Sequence, residues 1–238
     1  MPWNDKYECM PVEELKKFQL EKLKETVAWV SEKVPFYKNK FKEMGIKAGD
    51  LKSLEDVAKL PFTVKNDLRD NYPFGLCAVP LAEVVRIHAS SGTTGKPITG
   101  PYTAEDLEQW IECMARNLYA AGIRKEDVVQ NAYGHGLFTG GLGFHQGATA
   151  IGCTLVPTGA GMTERQITIM QDFKTDVLFS TPSYALTIAE RAEEMNVDIK
   201  KLPLRVGVFG AEPWTEGMRQ EIEERMGIKA QEAYGLTE

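Results

Sequence analysis

A chain of 238 residues, 43% of them hydrophobic, can build one large α/β domain or two small ones around a real core. A formal charge of −6 without a long basic run argues against a nucleic-acid partner, and no apolar run approaches the ~20 residues of a membrane span. Cys9, Cys77, Cys113 and Cys153 form neither a CxxC pair nor a zinc spacing, and MPWNDKYECMP is no signal peptide, so a reduced, cytoplasmic setting is expected.

Along the chain, Val12 to Val34 carries Leu15, Phe18, Leu23, Val27 and Val30 at helical spacing, and Pro35 closes it. A second helix is expected from Tyr37 to Met44, stopped by Gly45, and Ser53 and Thr63 read as caps of two short helices. Residues 1–82 therefore form a helical, charged segment with no visible chemistry. From residue 83 the pattern changes. Strand-like runs at Val84–Ile87, Asp127–Ala132, Cys153–Pro157, Asp176–Ser180, Leu204–Phe209 and Lys229–Tyr234 alternate with capped helices. Thr103 with Asp106, Thr163 with Gln166, Thr181 with Pro182, and Thr215 mark the helix starts. Strand and helix in alternation predict an α/β fold over 83–238, a mostly parallel sheet flanked by helices.

The most unusual stretch is SSGTTGKP, Ser90 to Pro97. Its glycines allow successive N–H groups to converge, its hydroxyls add donors, and Lys96 adds a charge, a combination suited to a polyphosphate. It is not the familiar nucleotide loop, because Ser90 holds the first glycine position and Pro97 follows the lysine. Proline biases Lys96 toward extended backbone, so the loop should run into a strand or turn. YGHGLFTGGLG (Tyr133 to Gly143), GAEPW (Gly210 to Trp214) and YGLTE (Tyr234 to Glu238) also follow predicted strands. Ligands of parallel sheets bind at the carboxyl ends of strands, so all four loops are expected on one edge around a nucleotide-sized pocket. No HExxH spacing or nearby cysteine supports a metal site at His135 or His145; His145 reads as structural, and His88 as a brace for the loop.

SSGTTGKP, GAEP and YGLTE in this order resemble the motifs of the acyl-adenylate-forming enzyme superfamily. Together with FGAEPW, the segment NAYGHGLFTGGLG resembles its AMP-forming branch of aryl-acid–coenzyme A ligases. The resemblance spans VPFYKNKF to the last glutamate. It implies two steps: a carboxylate, phenylacetate being the first choice, attacks the α-phosphorus of ATP, and the thiol of coenzyme A then displaces AMP. By matching position, Ser90, Ser91, Gly92, Thr93, Thr94, Gly95 and Lys96 would hold the β- and γ-phosphates. Gly210, Ala211, Glu212 and Pro213 would line the adenosine pocket, with Tyr234 and Gly235 against adenine. Thr237 would bond the α-phosphate and Glu238 would hold Mg²⁺, completing a catalytic set with Lys96. Tyr133, His135, Phe138, Gly140 and Gly141 would wall the acid pocket.

The family continues past YGLTE with a ribose-binding aspartate, a hinge and a small C-terminal domain that carries the adenylation lysine. The expectation is an incomplete large domain, a weak nucleotide binder with little turnover alone. A homodimer is compatible with the resemblance. Two rivals remain: a hydrolase using Ser90 or Ser91, which lacks the GxSxG elbow, and a non-catalytic assembly subunit. Walker-type phosphotransfer is disfavoured by Pro97.

Overall fold

Proline lacks an amide hydrogen and fixes its own φ, so it ends one helix and suits the first position of the next. In the N-terminal part, Asp5–Glu8 (α1) and Val12–Lys33 (α2) are followed by Pro35–Met44 (α3), which Pro35 opens and the left-handed Gly45 closes. The computed structural model describes residues 2–90, 92 and 96–236. Val27, Phe41 and Leu51 form the buried centre of this part, with Leu23, Val30 and Tyr37 packed on it. The Ser53 amide donates to Asp56 (3.0 Å) at the start of a 3₁₀ turn, as its sequence suggests. Thr63 is not a cap. Helix Lys65–Asp70 (α4) starts after Val64, whose amide donates to Asp67 (3.0 Å), while the Thr63 hydroxyl lies 3.0 Å from that of Tyr37.

The chain divides into two compact units, 2–106 and 107–236, the break falling inside helix Ala104–Ala120 (α5). The α5 start is the predicted box: Thr103 N–H donates to Asp106 (2.8 Å) and Asp106 N–H to the Thr103 hydroxyl (3.2 Å).

Within 2–106, Arg86–Ala89 (β1) pairs antiparallel with Thr99–Tyr102 (β2), Arg86 opposite Tyr102 and Ala89 opposite Thr99. This corrects the expected strand Val84–Ile87. The segment SSGTTGKP connects the two strands of a hairpin and does not follow a strand of the parallel sheet.

Within 107–236, five strands lie in one parallel sheet: Val128–Asn131 (β3), Thr154–Val156 (β4), Val177–Ser180 (β5), Val206–Gly210 (β6) and Lys229–Ala233 (β7), in the order β4-β3-β5-β6-β7. The connections are helices Thr139–Ile151 (α6), Thr163–Phe173 (α7), Pro182–Glu194 (α8) and Glu216–Met226 (α9). The chain steps from β3 to β4 in one direction and returns past β3 to β5, β6 and β7 in the other. With right-handed crossovers, that reversal puts α6 on one face and α7, α8 and α9 on the opposite face. Neighbouring strand residues report the two faces. Leu178 belongs to the core with Ile167, Met170, Ile188 and Ile222, while the ring of Phe179 packs 5.1 Å from that of Phe144 on α6. The reversal also leaves a switch point between the carboxyl ends of β3 and β5, where parallel sheets receive ligands.

Two local readings are corrected here. Tyr133–Gly143 is a loop only to Phe138, because α6 starts at Thr139. Its glycines serve helix packing: a Cβ at Gly143 would lie 2.5 Å from the Trp110 ring, and one at Gly147 would lie 2.8 Å from the Met114 Cβ. Thr163 is not a cap either. Met162 holds that position with φ 52°, and Gln166 turns inward. Its side-chain N–H groups reach Gly159 O (2.8 Å) and Gly161 O (3.1 Å), and its oxygen accepts from Gln130 (2.6 Å). A buried amide pair outweighs an exposed capping bond. Thr181 and Thr215 cap as expected, accepting from Tyr184 N–H and Met218 N–H.

Candidate functional site

The hairpin loop of residues 2–106 is closed at its base from both sides. Ser90 N–H donates to Ile98 O (2.9 Å), and Ile98 N–H donates to the Ser90 hydroxyl (2.9 Å). Ser90 thus closes the base of the loop as well as standing in it. Gly92 has φ 67°, a conformation that side chains disfavour. Lys96 is exposed. His88, in β1, is fully buried with its ring 5.7 Å from that of Tyr102. Ser91, Thr93, Thr94 and Gly95 lie outside the described residues.

At the carboxyl edge of the five-stranded sheet, the organising residue is Asn131, the fully buried last residue of β3. Its amide nitrogen donates to Gly141 O (2.9 Å) in the first turn of α6, and its side-chain oxygen accepts from Tyr133 N–H (3.2 Å). Its backbone carbonyl accepts from Gly159 N–H (3.0 Å) and the Thr158 hydroxyl (3.1 Å). One side chain and one carbonyl therefore fix the loops after β3 and β4 together. Gly141 must be glycine for the same reason, since a Cβ would sit 2.6 Å from Gly134 O.

Tyr133 is 3% exposed. Its ring stacks on Phe144 (5.0 Å, 9°) and meets Phe138 at 5.9 Å. Its hydroxyl lies against the Gly210 amide, short of a well-formed hydrogen bond. Burial pushes the phenol far above its ordinary range; the Gly210 amide opposes that and the Glu212 charge adds to it. Phe138 and His135 are exposed, and a Cβ at Gly140 would meet the Phe138 ring at 2.6 Å. The His135 and His145 rings lie 6.0 Å apart, and burial, then the His135 charge, lowers the His145 pKa. Among the described residues, the Tyr133 hydroxyl, the Thr139 hydroxyl and His145 Nδ1 are buried without a hydrogen-bond partner. Orphaned polar atoms cost free energy, so their concentration in one stretch sets it apart from the rest of the sheet edge.

Strands β6 and β7 pair with Gly210 opposite Ala233, so GAEP and Tyr234 leave the sheet side by side. Gly210 is forced to be glycine, because a Cβ would lie 2.2 Å from Ala233 O. Ala211 adopts φ 72°, a strained conformation for alanine. The Glu212 carboxylate accepts from Ser183 N–H (2.7 Å) at the start of α8. Ala211 and Pro213 are exposed, as is Gly235, and Tyr234 is 85% exposed, its ring open to stack on a planar guest. These features fit an adenosine: an uncovered aromatic face beside a turn without side-chain bulk at Gly210. Thr237 and Glu238 lie outside the described residues, and the described residues contain no group of three metal-ligating side chains.

The parallel sheet thus brings together Tyr133, His135, Phe138, Gly140, Gly141, Gly210, Ala211, Glu212, Pro213, Tyr234 and Gly235 on one edge, as the sequence suggested. The expectation that Ser90 to Pro97 leaves that same sheet is overturned by the hairpin. Sequence reasoning missed Asn131, Gln130 and Gln166. The only available signal was the placing of amides among apolar neighbours in β3 and α7.

A family model described as "AMP-binding enzyme" matches residues 77–238. A phenylacetate-coenzyme A ligase of Aromatoleum evansii is 53% identical over 226 residues, covering 95% of this chain and 51% of the relative. A second, from Pseudomonas putida, is 50% identical and covers 98% of this chain and 53% of the relative. Among solved structures, a 2-hydroxyisobutyryl-CoA ligase in complex with 2-HIB-AMP and CoA superposes with a TM-score of 0.93 at 32% identity, over 99% of this chain and 52% of that one. The chain spans about half the length of the curated relatives it matches. Among the described residues, no helix is long and apolar enough to cross a membrane.

Proposed function

Since the chain belongs to the AMP-binding enzyme family, we propose that it supplies the nucleotide- and acid-receiving part of an AMP-forming ligase that joins an aryl acid to coenzyme A, with phenylacetate the leading acid. One observation carries the reading. The Gly210–Ala233 pairing sends the GAEP turn and the exposed Tyr234 out of adjacent strands. Tyr234 and Gly235 take the adenine ring, and Gly210, Ala211, Glu212 and Pro213 border the nucleoside. Ser90, Ser91, Gly92, Thr93, Thr94, Gly95 and Lys96 take the β- and γ-phosphates, with Lys96 countering charge. ATP supplies the leaving group that makes the acid reactive, and Mg²⁺ on Glu238, with Thr237 at the α-phosphate, completes the set. Tyr133, His135, Phe138, Gly140 and Gly141 receive the acid, Tyr133 and Phe138 through their rings. Coenzyme A is the acceptor of the acyl group. Against the serine-hydrolase alternative, the Ser90 hydroxyl is engaged by the Ile98 amide.

The test is AMP titration of this chain by calorimetry, followed by aryl acids in ligand-observed NMR. AMP should bind weakly, and Tyr234→Ala should weaken it about tenfold, the scale of losing one base–aromatic stack. Absence of AMP binding, or indifference to Tyr234→Ala, would sink the reading. Phenylacetate should compete with indolic and benzoic acids for one site, and Phe138→Ala should weaken it.

A further inference from the structure

We infer that Glu212 is a positioning residue. Its carboxylate holds the Gly210–Pro213 turn onto the first turn of α8 and does not itself grip the nucleotide. The inference rests on the nucleotide reading of that turn.

A helix leaves its first amides without intrahelical acceptors. In α8, Pro182 has no amide hydrogen, and Tyr184 N–H goes to the Thr181 hydroxyl (3.3 Å). Ser183 N–H is satisfied from outside, by the Glu212 Oε1 at 2.7 Å, across 29 residues of sequence. The charge also sits where the helix dipole favours an anion. The turn that Glu212 belongs to needs such a tie. Its start is locked in the β6–β7 ladder, where Gly210 faces Ala233, and its end is locked by the Thr215 cap of α9 (3.2 Å to Met218 N–H). Between them Ala211 holds φ 72°, which persists only where the surroundings enforce it. Glu212 is the next residue and supplies the enforcement. The anchor is firm in turn, because the Tyr184 hydroxyl donates to Gly161 O (2.8 Å) and lies 3.4 Å from that of Thr163. The first turn of α8 thereby joins the loops after β4, β5 and β6.

A side chain that positions and one that binds ligand respond differently to Glu212→Gln. A glutamine oxygen accepts the same Ser183 N–H, whereas alanine offers nothing. AMP affinity and amide exchange at Ser183 are measured on this chain and on both variants. Glu212→Ala should weaken AMP about tenfold and accelerate Ser183 exchange by a similar factor, the scale of a hydrogen bond to a charged group. Glu212→Gln should restore both to within about twofold. If Glu212→Gln keeps Ser183 protected yet binds AMP as weakly as Glu212→Ala, the carboxylate meets the nucleotide and the inference fails. It fails also if Glu212→Ala changes neither quantity. Should the unmodified chain not bind AMP, the nucleotide reading falls alone, and Ser183 exchange decides the clamp.

Discussion

The Ser90–Ile98 turn and the Gly210–Thr215 turn both connect regular elements and both contain left-handed backbone, but they are held differently. The first is gripped at its base by a reciprocal pair between neighbours in the hairpin, Ser90 and Ile98. The second is gripped from a distance, by a helix that follows another strand. The same contrast separates the whole sheet edge from the hairpin. The Asn131 carbonyl on β3 holds the loop after β4, Gln130 on β3 reaches Gln166 on α7, and Tyr184 on α8 reaches Gly161. A local grip depends only on the few residues that make it. A distant grip makes the loops share one geometry, so that disturbing one disturbs its neighbours.

Removing Asn131 should break this contrast most strongly. Asn131→Ala removes two buried hydrogen bonds and strands the Tyr133 amide inside the protein, while the Gly141 carbonyl keeps its helical partner, a loss of about 2 kcal/mol. Urea unfolding should show it, with amide exchange rising at Tyr133 and staying slow at Gly159, which the Asn131 carbonyl still holds; an unchanged Tyr133 amide would mean that the side chain does not grip the loop after β3. Ser90→Ala should cost less, about 1 kcal/mol, because one hydrogen bond is lost at a partly solvated hairpin base. Exchange should quicken at Ile98 and leave the Asn131 neighbourhood unchanged. The smallest effect should be a pH dependence from His145. Burial lowers its folded pKa, so the unfolded chain takes up the proton first. Stability should be flat above pH ~6.5 and decline as pH falls below it. Urea midpoints at about pH 5.5 and 7.5 should differ less in His145→Gln than in the unmodified chain, and an equal drop in both would remove His145 as the cause.

The α/β pattern was legible because apolar runs and helix caps are local features. Thr103 with Asp106, Thr181 with Pro182, and Thr215 all cap where their chemistry says they should. The start of α6 was hidden because Gly140, Gly141 and Gly143 lower helix propensity, and close packing on Trp110 overrides it. Strand β2 was hidden because Thr99–Tyr102 includes a glycine and a proline, poor strand formers that the pairing with β1 nonetheless tolerates. The motif residues at the sheet edge could be picked out by their glycines and aromatics. The Asn131–Thr158, Gln130–Gln166 and Glu212–Ser183 bonds could not, since each acts across a sequence gap that no local pattern encodes.

The two glycines of α6 that face α5 bear on how such a chain can diversify. Gly143 and Gly147 leave no space for a methyl group against Trp110 and Met114. Substitutions there are closed to descendants unless α5 changes in the same generation. Change is easier at residues 135–138, where His135, Leu137 and Phe138 stand exposed. The inherited seam would keep the architecture constant while the exposed rim is left room to vary.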